Sequence, residues 1–144
     1  MRENAIGFRL VSTGVQTLAL PADEIESVSD WRQPTPLPNA PAGVLGVILI
    51  RGRVLTVLDS GALLGGTPSA KVKIVALRGD EQIALAVGQV DEVAVESAME
   101  DLPNSERAPI LGQLKNGDRS IPVLDVKQLF ATAMRGHERR KRHF

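Results

Sequence analysis

The chain has no cysteine and no tyrosine, and only one tryptophan, three phenylalanines and two histidines in 144 residues. Without cysteine there can be no disulfide, no thiolate zinc site and no thiol nucleophile. His137 and His143 stand among arginines near the C-terminus, a poor setting for a general base or a metal ligand. Four aromatic side chains (Phe8, Trp31, Phe130 and Phe144) are too few for a base-stacking platform. The longest apolar stretch, 42–50, falls far short of the roughly 20 residues that cross a bilayer. No apolar run follows Met1-Arg2-Glu3-Asn4, so the start does not read as a signal peptide. The expectation is a soluble, cytoplasmic protein with no metal and no cofactor.

Charge is balanced overall, 17 basic against 17 acidic, but unevenly placed. Segment 135–144 holds five basic residues and one acidic, which leaves 12 against 16 in 1–134. A body of net negative charge speaks against a nucleic-acid binder. The reading from a different class is a small β-barrel that binds a nucleotide or nucleic acid through its loops and basic tail. Scarce aromatics and the acidic body weigh against it. The tail itself reads as a solvated, flexible end rather than a phosphate or lipid site, since no amphipathic helix accompanies its charges.

Short β-like runs between glycines and prolines fill most of the chain, so the class is all-β. Segments 8–12 and 15–20 flank the turn signal Thr13-Gly14 and read as a hairpin. Four prolines in 33–41 exclude a helix or a central strand there and leave an ordered loop. Segments 71–77 and 82–87 form a second hairpin, 90–96 a further strand, and 110–115 pairs with 120–125 across Asn116-Gly117. One helix is expected over about 125–134. Asp125 caps it with Gln128 three residues on, and Val126, Leu129, Phe130, Ala133 and Met134 make one apolar stripe.

The chain also repeats itself. Laying 46–64 over 112–130, an offset of 66, matches six of 19 positions, among them Gly46/Gly112, Arg53/Arg119 and Val57-Leu58-Asp59/Val123-Leu124-Asp125. The match spans hairpin, strand and cap together, which favours duplication or shared local geometry over chance recurrence. It also puts Arg51 opposite Gly117, at a hairpin tip. Two similar β lobes follow, one over about 6–66 and the other over about 67–134, within a single domain 1–134.

Nothing here carries enzymatic chemistry. No G-x-S-x-G elbow occurs, and the glycine-rich 61–71 lacks Walker A spacing. Asp59 and Asp125 each end a Val-Leu-Asp strand, where capping the following turn explains them better than an acid pair does. Glu92, Glu96 and Glu100 read as a solvated strand face, and Arg78-Gly79-Asp80 as a loop between strands.

The most specific string runs from Leu37-Pro38-Asn39-Ala40-Pro41 through Gly46-Val47-Ile48-Leu49-Ile50-Arg51-Gly52 to Val57-Leu58-Asp59. It resembles the signature of the CheW-like coupling proteins of bacterial chemosensory systems, a Pro-rich approach to Arg-Gly followed by an apolar strand ending in Asp. Ala19-Leu20-Pro21, the Val87-Gly88-Gln89-Val90-Asp91 block and Ile121-Pro122-Val123-Leu124-Asp125 match in the same order. The chain departs from the family at Ile50, usually Leu, at Thr56, often Pro, and at Ser27, commonly acidic. The resemblance implies two small SH3-like β-barrel lobes packed together, plus a C-terminal helix. It also implies a non-catalytic adaptor between a chemoreceptor's cytoplasmic tip and the regulatory domain of a CheA-type histidine kinase, held in receptor arrays at the inner face of the membrane. The interaction residues it implies are Ile25, Ser27, Gly46, Ile50, Arg51, Gly52, Gly88, Val90 and Asp91.

Overall fold

The computed structural model describes residues 5–64, 66–91, 95–100, 109–116 and 118–141. Strands β1 (Ala5–Ser12) and β2 (Thr17–Pro21) form the first hairpin, with the Thr13 amide donating to the Gln16 carbonyl at 2.8 Å across the turn. A short 3₁₀ turn, Ala22–Glu24, leads into β3 (Ile25–Asp30). The proline-rich loop that follows touches a strand at one bridge, Thr35 to Val47. Next come the hairpin β4 (Val44–Ile50) and β5 (Arg53–Asp59), helix α1 (Ser60–Leu63), and the hairpin β6 (Lys73–Leu77) and β7 (Ile83–Val87). The chain ends with β8 (Gln89–Val90), β9 (Val95–Ala98), the hairpin β10 (Ile110–Asn116) and β11 (Arg119–Leu124), and helix α2 (Val126–Lys141). The single strand expected over 90–96 is two short ones, both paired with β1.

The strands sort into two sheets. One has the order β3-β6-β7-β5-β4; the other runs β10-β11-β2-β1-β8, with β9 also on β1. This overturns the division into lobes at residue 66. The N-terminal hairpin leaves the strands that follow it and joins β8–β11, while β6 and β7 complete the sheet of β3–β5. Parallel pairing makes the exchange: β5 lies beside β7 with Val57 opposite Ala84, and β11 lies beside β2 with Val123 opposite Ala19. Such pairings join segments far apart in sequence, so no local turn signal announces them.

The 66-residue repeat survives in the backbone. In both late hairpins the register shifts at the same place, between Val44 and Gly46 and between Ile110 and Gly112. The Asp59 amide donates to the Gly43 carbonyl and the Asp125 amide to the Pro109 carbonyl, each at 2.8 Å. Asp59 accepts from the Ala62 amide and Asp125 from the Gln128 amide, each at 3.1 Å, so both carboxylates cap helices. The repeating unit is therefore a run of strands closed by a helix, five strands over 5–63 and six, two of them the short β8 and β9, over 73–141. The two units exchange their first hairpins.

Three clusters hold this together. Ile48, Ile50, Leu55, Val57, Ile74 and Ala86 fill the five-stranded lobe; Phe8, Ala19, Leu114, Ile121 and Val123 fill the other. Between the lobes lies the largest cluster, with Leu18 and Leu20 from β2, Val75 and Leu77 from β6, and Leu85 and Val87 from β7. β7 is buried along its whole length because alternate side chains enter the seam and the lobe interior. Helix α2 closes the seam with Val126 and Leu129, while Phe130 packs against it half-buried. Met134, expected in that stripe, is exposed, since the packed face ends at Ala133. The helix also outlasts the expected 125–134 and turns part of the basic tail into helix, as far as Lys141. Arginine, lysine and glutamate are good helix formers and carry it on; residues 142–144 lie outside the described residues.

The exchange predicts the outcome of cutting the chain between residues 66 and 67. Neither fragment alone should show a cooperative thermal transition, because each holds parts of both sheets and a complete neither. Mixed or co-expressed, they should recover one transition by circular dichroism. A single half that melts cooperatively on its own would refute the exchange.

Candidate functional site

Arg51 and Gly52 form the two-residue turn between Ile50 and Arg53. Both have positive φ, 51° and 80°, the pattern of a type I′ turn whose twist matches its strands. Arginine pays a strain to sit there, whereas glycine does not. The Arg51 side chain is exposed and makes no hydrogen bond or ion pair with the described residues. Its hairpin is anchored two residues later. The Arg53 guanidinium pairs through Nη1 with Glu26 Oε1 and donates from Nη2 to the Gly79 carbonyl at 2.8 Å. Glu26 is the extra residue of a bulge in β3, between Ile25 and Ser27, which explains how it comes to face Arg53.

The expected contact residues divide by burial and by sheet. Arg51 and Gly52 are exposed at the tip, and Ser27 is half-buried on β3. Ile25 and Ile50 are buried, in the seam and in the five-stranded lobe respectively. Gly46 is buried in the bulge with φ 141°, where an added Cβ would lie 2.2 Å from the Thr35 carbonyl oxygen. Gly88 is buried where the chain crosses from β7 to β8, and its amide donates to the Ser12 carbonyl at 2.6 Å. These four support the fold and present no side chain to a partner. Val90 and Asp91 lie elsewhere, beside β1. Val90 packs on the seam, and the Asp91 carboxylate is exposed while its carbonyl accepts from Arg9 Nε at 2.8 Å. The structure thus leaves Arg51, Gly52, Ser27 and Asp91 as surface candidates, on two different sheets.

Two features escaped the sequence reading. One is the Arg53–Glu26–Gly79 clamp, which depends on a bulge. The other is a pair of exposed apolar side chains, Leu49 and Val54, directly opposite each other on the Arg51 hairpin. A visible signal existed for these. Segment 44–50 is unbroken apolar sequence, yet β4 is an edge strand, where alternation is the rule for a sheet with one wet face.

A cleft of about 390 Å³ opens between the Ala22–Glu24 turn, the β6–β7 turn and the start of α2, floored by Leu77, Ile83 and Val126. At its rim the Glu24 carboxyl has its pKa raised, first by desolvation, then by Asp23, with Asp125 and Glu81 adding and Lys127 opposing. Among the described residues no group of His, Cys, Asp or Glu could hold a metal ion. No helix among them is long and apolar enough to cross a membrane.

The CheW-like domain family model matches residues 8–134. This chain belongs to the CheW-like family. It is 31% identical over 140 residues to "Chemotaxis protein CheW" of Rhizobium meliloti (strain 1021), covering 90% of this chain and 88% of that protein. It is 29% identical over 136 residues to "Probable chemotaxis protein CheW" of Rhizobium etli (strain ATCC 51251 / DSM 11541 / JCM 21823 / NBRC 15573 / CFN 42), covering 88% and 86%. The scaffolding protein TtCheW from Thermoanaerobacter tengcongensis has the same fold, with a TM-score of 0.73 at 20% identity over 83% of this chain and 88% of that one. The two sheets are accordingly the two SH3-like lobes of a CheW-like domain. Proteins of this family are non-catalytic scaffolds, so the chain is a chemotaxis scaffold and not an enzyme.

Two glycines of the signature string, Gly46 and Gly52, should separate fold from surface. Gly46→Ala collides with backbone and should cost several kcal/mol in a urea titration. Gly52→Ala, which meets nothing within 4 Å, should cost only its positive φ, about 1 kcal/mol. Equal costs would contradict this division. Glu24→Gln tests the cleft. A raised pKa means that the ionised carboxylate opposes folding, so at pH 7 the amide should melt slightly higher. That margin should close as the pH falls to the ordinary value of 4.5 and below, where the unfolded carboxyl is protonated too. A margin constant from pH 4 to 7 would rule this out.

Proposed function

We propose that this CheW-like domain couples a chemoreceptor's cytoplasmic tip to the regulatory domain of a CheA-type histidine kinase, in receptor arrays at the inner face of the membrane. Family membership supports the scaffold class. The observation that carries the contact is Arg51. Its guanidinium stands on a two-residue turn, braced by the Arg53 clamp and unpaired with any described residue. A side chain so placed adds little to stability, while its planar fork can hold carbonyls or a carboxylate of a partner.

Arg51→Glu is the test. The melting temperature should shift by no more than about 2 °C, as for an exposed substitution. Co-sedimentation with receptor and kinase should fall by at least about tenfold, through lost bonds and repulsion. Unfolding by this substitution, or undiminished co-sedimentation, would remove Arg51 from the interface.

A further inference from the structure

Helix α2 has charge of opposite sign gathered at its two ends. Its first residues, Val126 and Lys127, line the cleft of about 390 Å³ whose floor is Leu77, Ile83 and Val126. Around that apolar floor stand Asp23, Glu24, Asp80 and Glu81, against only Arg78 and Lys127. Lys127 is already engaged, its Nζ 3.7 Å from Glu81 Oε2, while Asp23, Glu24 and Asp80 have no cationic partner among the described residues. Glu24 registers the surplus. After desolvation, it is the charge of Asp23, Asp125 and Glu81 that raises its pKa, and Lys127 offsets them only in part. The walls are set before anything binds: the Arg78 amide donates to the Glu24 carbonyl and Arg53 Nη2 to the Gly79 carbonyl, each at 2.8 Å. A preformed cleft with an apolar floor and a carboxylate rim suits a cationic segment that also carries an apolar side chain.

The chain itself holds such a segment. The family match ends at residue 134, and residues 135–144 then bring five basic residues, one acidic residue and Phe144. They leave 12 basic residues against 16 acidic in 1–134, so tail and body are charged oppositely. Length keeps a molecule's own tail out of its own cleft. α2 runs 16 residues from Val126 to Lys141, which at 1.5 Å per residue carries its far end about 24 Å from the cleft where it begins. Three residues beyond Lys141 reach back at most about 10 Å. On two molecules the same features can meet. Cleft and tail are different surfaces, so their contact is heterologous, and every added copy leaves one cleft and one tail unused.

We infer that the cleft between the Ala22–Glu24 turn, the β6–β7 turn and the start of α2 is a docking site for residues 135–144 of a second copy of this chain, linking copies head to tail. The basic residues of the tail answer the carboxylates of the rim, and Phe144 supplies an apolar side chain for the floor. The contact needs neither receptor nor kinase.

The test is the assembly of the purified chain alone, read by sedimentation over a concentration series at low and high salt. The parent should grow beyond a dimer as concentration rises, and associate at least about tenfold more weakly at high salt. Two variants break the contact from opposite sides: truncation after Met134, and Asp23→Lys with Asp80→Lys. Each should melt at the parent's temperature and stay monomeric. Mixed, they should form a one-to-one dimer that grows no further, since the first keeps only a cleft and the second only a tail. Should either fail to fold, Arg139→Glu with Arg140→Glu replaces the truncation and Asp80→Lys alone replaces the reversal. A parent that stays monomeric at every concentration overturns the proposal. Association that survives removal of the tail overturns the tail as occupant, and association that survives charge reversal overturns the cleft as its site. Mixed variants that do not pair overturn the head-to-tail contact.

Discussion

Everything in this molecule depends on the apolar seam between its two sheets. Leu18, Leu20, Val75, Leu77, Leu85 and Val87 meet there from both lobes, and α2 covers them with Val126 and Leu129. Neither lobe interior is large: one centres on Phe8, Leu114 and Ile121, the other on Ile48, Leu55 and Ile74. Sheets this small rarely hold a fold on their own. The seam adds the burial that each lacks. It also explains the full burial of β7, whose alanines turn inward while its isoleucine, leucine and valine face the other lobe.

Much of the local structure was legible. Thr13-Gly14, Asn116-Gly117 and Arg51-Gly52 each mark a reversal between β-like runs, and hairpins stand at all three. Asp125 caps its helix through the Gln128 amide, although its own amide goes to Pro109 and not to the Gln128 side chain of a full capping box. The exchange of hairpins was not legible. It rests on parallel contacts such as Val57 with Ala84, and segments apolar on both faces offer no alternation to say which neighbour each face meets. The helix end was misplaced for another reason. Apolar periodicity stops at the packed surface, but backbone propensity does not.

The site was half legible for a related reason. A string of residues that typifies a family mixes groups that shape the backbone with groups that meet partners. Gly46 and Gly88 belong to the first kind, one under the Thr35 carbonyl and the other at a crossing between sheets. Arg51 belongs to the surface. Burial separates the two kinds, and burial here is set by non-local pairing.

The chain crosses between lobes at two short places, the Ala22–Glu24 turn and Gly88, and each is held by backbone bonds. Two short, bonded crossings leave no hinge. Lobes joined by one flexible tether would let bound partners drift with the tether's length. Here the separation and mutual angle of anything held on the two lobes are fixed in advance. The domain acts as a gauge block: a chain of such contacts would repeat at a constant spacing, with the error at each step limited to the play in the contacts themselves.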